Sequence, residues 1–90
     1  MMARFEMTVP EMAGLGQGPA NADIFYQLGI RHSVGESGPA DLVAAHKWFN
    51  IAALKGCKEA IRLRQEVAVN MSPAEIAAAQ RAARDWLTAH

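Results

Sequence analysis

The side chains best suited to holding a metal or cofactor in this chain are three histidines and one cysteine: His32, His46, His90 and Cys57. A zinc site usually needs two close pairs of such ligands, and no such pairing occurs along the sequence. We expect His46 to be a partly exposed structural histidine, His32 to be a flat ring in the core, and His90 to be solvated. The sequence therefore predicts no metal and no cofactor.

Nucleophilic or acid–base chemistry has equally little support. Cys57 is expected near the start of a helix, where the thiol pKa is lowered, so a reactive thiol is one interpretation; a passive thiol is the favoured one. The acidic residues are placed where caps, first helical turns and solvent-facing helix surfaces are expected. Because no spacing of nucleophile and base emerges, we predict that the protein is not an enzyme.

The charge balance argues against two classes of partner. The chain has 90 residues, with nine acidic and nine basic side chains and a formal net charge of zero. Nucleic-acid clamps and polybasic membrane binders rely on clustered Lys and Arg. A helix-turn-helix can be drawn around residues 70–73, yet the segment that would read the bases, 74–80, opens with alanines and an acid. We predict no nucleic-acid binding.

A reducing compartment is the natural expectation for a chain with a single cysteine, which cannot form an internal disulfide. The first residues lack the apolar stretch of a signal peptide. No run of about 18 apolar residues is present to span a bilayer. We therefore expect a cytoplasmic protein that is not an integral membrane protein, although its partner could be one.

Apolar residues recur at helical spacing in four segments. The spacing predicts helices beginning near Asn21 or Asp23, and over 40–55, 58–70 and 73–89. Gly29 in mid-helix costs about 1 kcal/mol relative to alanine, so we expect a neighbouring helix to approach it closely. Ser72 and Glu75 are spaced as a capping box around Pro73. The expected buried stripes are Ile24, Phe25 and Leu28; Leu42, Ala45, Phe49 and Ala52; Ala60, Leu63 and Val67; and Ile76, Ala79, Ala83 and Leu87.

Residues 1–19 are predicted to be an N-terminal arm. Phe5, Met7 and Val9 alternate with polar residues up to Pro10, which is a weak signal for an extended segment. A flexible tail and an arm that docks its apolar side chains into a groove are both compatible with this pattern. A glycine-rich linker over 14–19 follows, with Pro19 expected to stop regular structure.

Residues 22–60 contain a sequence pattern that resembles the Sel-one-like repeat, a relative of the tetratricopeptide repeat. The matching residues occur in the order and spacing of that family: Ala22, Tyr26, Leu28, Gly29, Gly35, Asp41, Ala45, Trp48, Phe49, Ala52, Ala53, Gly56 and Ala60. The resemblance implies one complete repeat over 22–57 and a divergent closing repeat over 58–90, within a domain of residues 20–90. Since one hairpin cannot bury its apolar face alone, the units must stack.

The expected fold is thus all-α, a short superhelix of two stacked helical hairpins with an irregular N-terminal arm. Proteins of the family are generally adaptors, so the resemblance implies a non-catalytic protein–protein interaction module. The first helix of each hairpin tends to line the concave side, which nominates Gln27, Arg31, Arg62 and Glu66 as partner contacts. The alternative is a small accessory subunit of a larger complex, anchored by Phe5, Met7 and Val9.

Overall fold

The computed structural model describes residues 18–36 and 38–89, which form four α-helices and, within those ranges, no strand. The helices are α1 (Gly18–Val34), α2 (Leu42–Leu54), α3 (Lys58–Ala68) and α4 (Pro73–Ala89). The predicted all-α fold is confirmed. The arm residues Phe5, Met7 and Val9 lie outside the described residues.

Helix α2 is the centre of the fold, because it makes the extensive contacts with α1, α3 and α4. It runs antiparallel to α1: Lys55 at its end lies near the Phe25 ring, and the Asp41 N–H before its start donates to the His32 carbonyl at 2.9 Å. Four buried residues from α2 and α3 form the core cluster: Ala45, Phe49, Ala52 and Ala60. Alanine supplies three of them, so the helices can approach closely.

The ends of α2 follow from local chemistry. Asp41 is the N-cap, and its Oδ1 accepts the Ala44 N–H at 3.0 Å. Gly56 follows the helix with φ of 110°, a left-handed conformation that favours glycine. The predicted span of 40–55 therefore shortens to Leu42–Leu54, and Asp41 caps the helix instead of occupying its first turn.

Helix α1 departs most from expectation. It begins at Gly18 and not near Asn21 or Asp23, so Pro19 lies inside its first turn. A proline is tolerated there because the first amides of a helix have no intrahelical acceptor. Ile24, expected on the buried stripe, is 59% exposed, because the face that meets α2 passes through Ala22, Tyr26 and Gly29 instead.

The other predicted stripes are buried or half-buried as expected, with the alanines at 45, 52, 60, 79 and 83 fully enclosed. Helix α3 ends at Ala68 and not at Asn70. Its outer face carries the exposed residues Lys58, Arg62 and Glu66. The periodicity of the sequence thus identifies the inner face of three of the four helices.

Gly29 marks the tightest contact between α1 and α2. A Cβ built at this position would lie 2.5 Å from Cδ1 and Cε1 of Phe49. The Phe49 ring cannot retreat freely, since the residue is only 1% exposed and its neighbours enclose it. The predicted close approach is confirmed, and the partner is an aromatic ring.

We expect Gly29→Ala to lower the free energy of unfolding by about 1–3 kcal/mol through overpacking. This is opposite in sign to the gain of about 1 kcal/mol that the same exchange gives in an open helix. Urea denaturation followed by circular dichroism measures the change, with exposed Gln27→Ala as the control. A Gly29→Ala variant as stable as the parent would contradict the packing described here.

The start of α4 is a reciprocal cap. The Ser72 N–H donates to Glu75 Oε1 at 2.8 Å, and the Glu75 N–H donates to Ser72 Oγ at 3.1 Å. Pro73 occupies the first helical position. The capping box predicted from the sequence is confirmed.

Ser72→Ala should destabilise the fold by about 1 kcal/mol, because the N–H of Glu75 loses its acceptor. Thr88→Ala is the matched control, since it removes an exposed hydroxyl that bonds only within its own helix. Thermal unfolding of both variants gives the comparison. Equal melting temperatures for the two would show that the cap adds no stability.

Candidate functional site

Four helical residues were nominated as partner contacts, and all are exposed: Gln27, Arg31, Arg62 and Glu66. Of these, Arg62 and Glu66 contact each other. Arg62 pairs with Glu66 at 2.6 Å and also with Glu59. Arg31 pairs with Glu36 at 3.5 Å, and Gln27 lies one turn earlier on α1. Within the described ranges, no hydrogen bond or ion pair links the α1 residues to those of α3. Such exposed ion pairs add little stability, so a partner's charges can displace them at low cost.

The residues of the repeat pattern are mostly used in packing. The four-residue core cluster and Ala22 are essentially inaccessible, and the Tyr26 ring lies 6.1 Å from that of Phe49. Gly35 has φ of 70°, and a Cβ there would meet the Gly38 carbonyl oxygen at 2.6 Å. The pattern therefore describes how the hairpin is built. It leaves the outer helix faces free to carry other residues.

A cleft of about 460 Å³ lies at the turn between α1 and α2, lined by Leu28, Arg31, His32, Gly35, Glu36, Gly38, Pro39 and Asp41. Its rim carries the Arg31–Glu36 ion pair and the Asp41 cap. His32 is half-buried and lines this cleft, so its predicted place as a flat ring in the core is wrong. The cleft combines charged groups of both signs with an apolar side chain.

Three aromatic side chains from three helices meet on another side of α2. The Phe25 ring stacks on Trp48 with centroids 5.8 Å apart, and Trp86 meets both rings edge-on, at 5.0 Å from Phe25 and 5.8 Å from Trp48. Lys47 Nζ lies 4.2 Å from the centroid of a Trp48 ring, a cation–π distance. Sequence reasoning missed this meeting of the tryptophans, which depends on where α4 crosses α2.

His46 is the buried polar residue of this fold. It is 4% exposed, so the predicted partly exposed position is wrong: the edge of the α2 stripe becomes enclosed where α3 packs. Its Nδ1 is buried without a hydrogen-bond partner. Burial holds the pKa of His46 below its ordinary value of 6.5, and the nearby Arg64 charge lowers the pKa further.

Arg64 and Asn50 form a polar contact between α2 and α3 that sequence reasoning missed. Arg64 Nη1 donates to Asn50 Oδ1 at 2.7 Å, and both side chains are half-buried. A signal was available: Arg64 follows buried Ala60 by one turn, and Asn50 follows His46 by one turn. Polar residues one turn from buried positions on two helices that pack together indicate an interhelical bond.

The described part of the chain shows no group of three or more potential metal ligands. Cys57 is half-buried at the N-cap of α3, and its side chain makes no capping bond. None of the described helices is long and apolar enough to cross a bilayer. The absence of a cofactor, of catalysis and of nucleic-acid binding stays a prediction.

Comparison of the chain with protein-family models, curated proteins and solved structures gave no match.

The lowered pKa of His46 predicts a pH-dependent stability. Between the folded-state pKa and 6.5, the unfolded chain binds a proton that the folded chain does not, so stability falls as the pH decreases through this interval. Urea denaturation between about pH 7.5 and 5 covers the interval while most carboxylates remain ionised.

His46→Gln should flatten this pH dependence because it removes the titrating ring. His32→Gln is the matched control, since it leaves His46 and its surroundings in place and should keep the parent's slope. If His46→Gln and the parent lose stability in parallel, the buried imidazole is not the group responsible.

Proposed function

We propose that this protein is a non-catalytic protein–protein interaction module, a short helical scaffold of the Sel-one-like repeat type. The observation that carries the proposal is the use of the pattern residues: those at 22, 29, 45, 49, 52 and 60 are buried or fill the tightest contacts of the helices. A sequence pattern whose residues pack the helices together specifies a scaffold. In helical-repeat proteins the outer surfaces of such scaffolds bind partners.

The exposed ion pairs and the charged cleft support a polar contact surface. Gln27 and Arg31 lie on the outer face of α1, and Arg31 also lines the cleft. Arg62 and Glu66 lie on the outer face of α3. In this proposal a partner exchanges the weak surface pairs for its own charges.

The alternative, an accessory subunit of a larger complex, is favoured by exposed apolar side chains. Four of them are more than half exposed: Ile24 at 59%, Leu54 at 66%, Val34 at 68% and Val69 at 81%. Apolar surface of this kind on a small domain is often covered by another protein when it is contiguous. In this alternative the arm residues Phe5, Met7 and Val9 supply the anchor.

The test is chemical cross-linking and affinity capture from the native cytoplasm, where the single cysteine leads us to expect the protein. Three full-length chains are compared: the parent, a surface variant with Arg31→Glu and Arg62→Glu, and an arm variant with Phe5, Met7 and Val9 changed to serine. We expect a stoichiometric partner that the surface variant loses and the arm variant retains.

The opposite result, retention by the surface variant and loss by the arm variant, would support the accessory subunit. Capture of no stoichiometric protein by the parent would contradict both proposals. Far-ultraviolet circular dichroism of each chain establishes that it is folded before the comparison is made.

A further inference from the structure

Arg64 is a cation of α3 that has no counterion among the described residues. Its half-buried side chain makes one hydrogen bond, from Nη1 to Asn50 Oδ1 at 2.7 Å. Arg62, two residues earlier, pairs with two glutamates. In the described ranges, no carboxylate lies within ion-pair distance of Arg64. Because a guanidinium carries five N–H donors, most of those on Arg64 have no partner within the fold.

Asn50 is oriented by the same bond. A guanidinium can only donate, so the amide oxygen of Asn50 must face Arg64 and the amide nitrogen must point elsewhere. That nitrogen makes no hydrogen bond in the fold and is not among the buried unpartnered atoms, so it keeps contact with solvent. The Asn50–Arg64 contact thus presents N–H donors from both side chains beside one positive charge.

His46 lies one helical turn before Asn50. It is close enough to Arg64 for the guanidinium charge to lower its pKa. The histidine is 4% exposed, and its Nδ1 has no hydrogen-bond partner. Buried polar groups in folded proteins nearly always have one. We call His46, Asn50 and Arg64 the Arg64 cluster; its imidazole is enclosed, so the donors that can face a partner belong to Asn50 and Arg64.

The surrounding charge favours an anion. Residues 42–68, which contain α2 and α3, carry five basic and two acidic side chains, whereas the rest of the chain carries four basic and seven acidic ones. Lys47 lies over an aromatic ring and has no carboxylate partner among the described residues. The zero net charge of the whole chain thus conceals a basic stretch over residues 42–68, to which an acidic surface is complementary.

We infer that the Arg64 cluster binds the side-chain carboxylate of an acidic segment in a partner protein. The planar fork of a guanidinium matches the two oxygens of a carboxylate, and the Asn50 amide offers a further donor. A phosphate, with its higher charge, is less well matched because the cluster contains a single cation and its histidine is neutral near pH 7. This inference rests on the proposed function, since it names the chemistry of the partner.

The test is a nuclear magnetic resonance titration of the full chain, observing the Arg64 Nε–H and the Asn50 side-chain amide. The probe is an acetylated and amidated peptide with one central glutamate among alanines and serines. We expect saturable shifts at both groups. Arg64→Lys keeps the charge but loses the fork, and should weaken binding about tenfold. Arg81→Lys, at an exposed arginine of α4, is the matched control and should bind as the parent does.

Three further probes decide the ligand class. A twin peptide with glutamine in place of glutamate should give no saturable shift, and equal binding by it would overturn the inference. Tighter binding of a glutamine peptide with a free carboxyl terminus would reassign the site to chain ends. Tighter binding of inorganic phosphate would reassign it to phosphorylated partners. Either reassignment overturns the inference as stated.

The variants also separate this inference from the proposed function. If Arg64→Lys and Arg81→Lys weaken peptide binding equally, or if no probe binds, the carboxylate site is wrong. A stoichiometric protein that is still captured with equal yield by Arg64→Lys would leave the interaction module in place without this contact. Thermal melting of Arg64→Lys shows whether a loss of binding reflects a loss of folding.

Discussion

The fold depends on the space beside Gly29, which the ring of Phe49 occupies. Since any side chain at residue 29 would collide with that ring, the distance between α1 and α2 is set by a missing Cβ and a buried phenyl group. Phe49 also belongs to the core cluster with Ala45, Ala52 and Ala60. Phe49 therefore links the position of α1 to that of α3. Helix α2 provides this link because it packs on every other helix.

The two sides of α2 differ in chemistry, and the difference bears on function. Towards α1 the tightest contact is apolar, with Gly29 against the Phe49 ring. Towards α3 it includes His46 and Asn50, and Arg64 reaches across to the latter. An unpaired polar atom beside a half-buried cation destabilises an isolated domain. The donors of Arg64 and Asn50 that have no partner in the fold are the reason for the carboxylate contact inferred on this side.

Local features were predictable from the sequence because they depend on neighbouring residues alone. The capping box at Ser72 needs only the residues up to Glu75, and the inner faces of α2 to α4 follow from the 3.6-residue period. The sequence predicts too late a start for α1 because a proline usually stops regular structure, although the first turn of a helix tolerates Pro19. These errors concern boundaries and leave the order of the helices unchanged.

Features that depend on long-range packing were not predictable. His46 is enclosed once the helices pack around α2, and Ile24 is exposed because α1 presents another face to α2. The Arg64–Asn50 bond joins residues fourteen positions apart. The resemblance to a helical repeat anticipated the hairpin of α1 and α2, whereas the polar cluster beside it required the assembled helices.

The aromatic arrangement determines what optical spectroscopy can observe. Both tryptophans of the chain lie in the one cluster formed by α1, α2 and α4, while α3 contains no aromatic residue. Intrinsic tryptophan fluorescence thus reports the contact between those three helices. It is nearly insensitive to detachment of α3. The close indole pair should also couple excitonically and distort the far-ultraviolet circular dichroism, so helix content read from that spectrum needs correction for the tryptophan contribution.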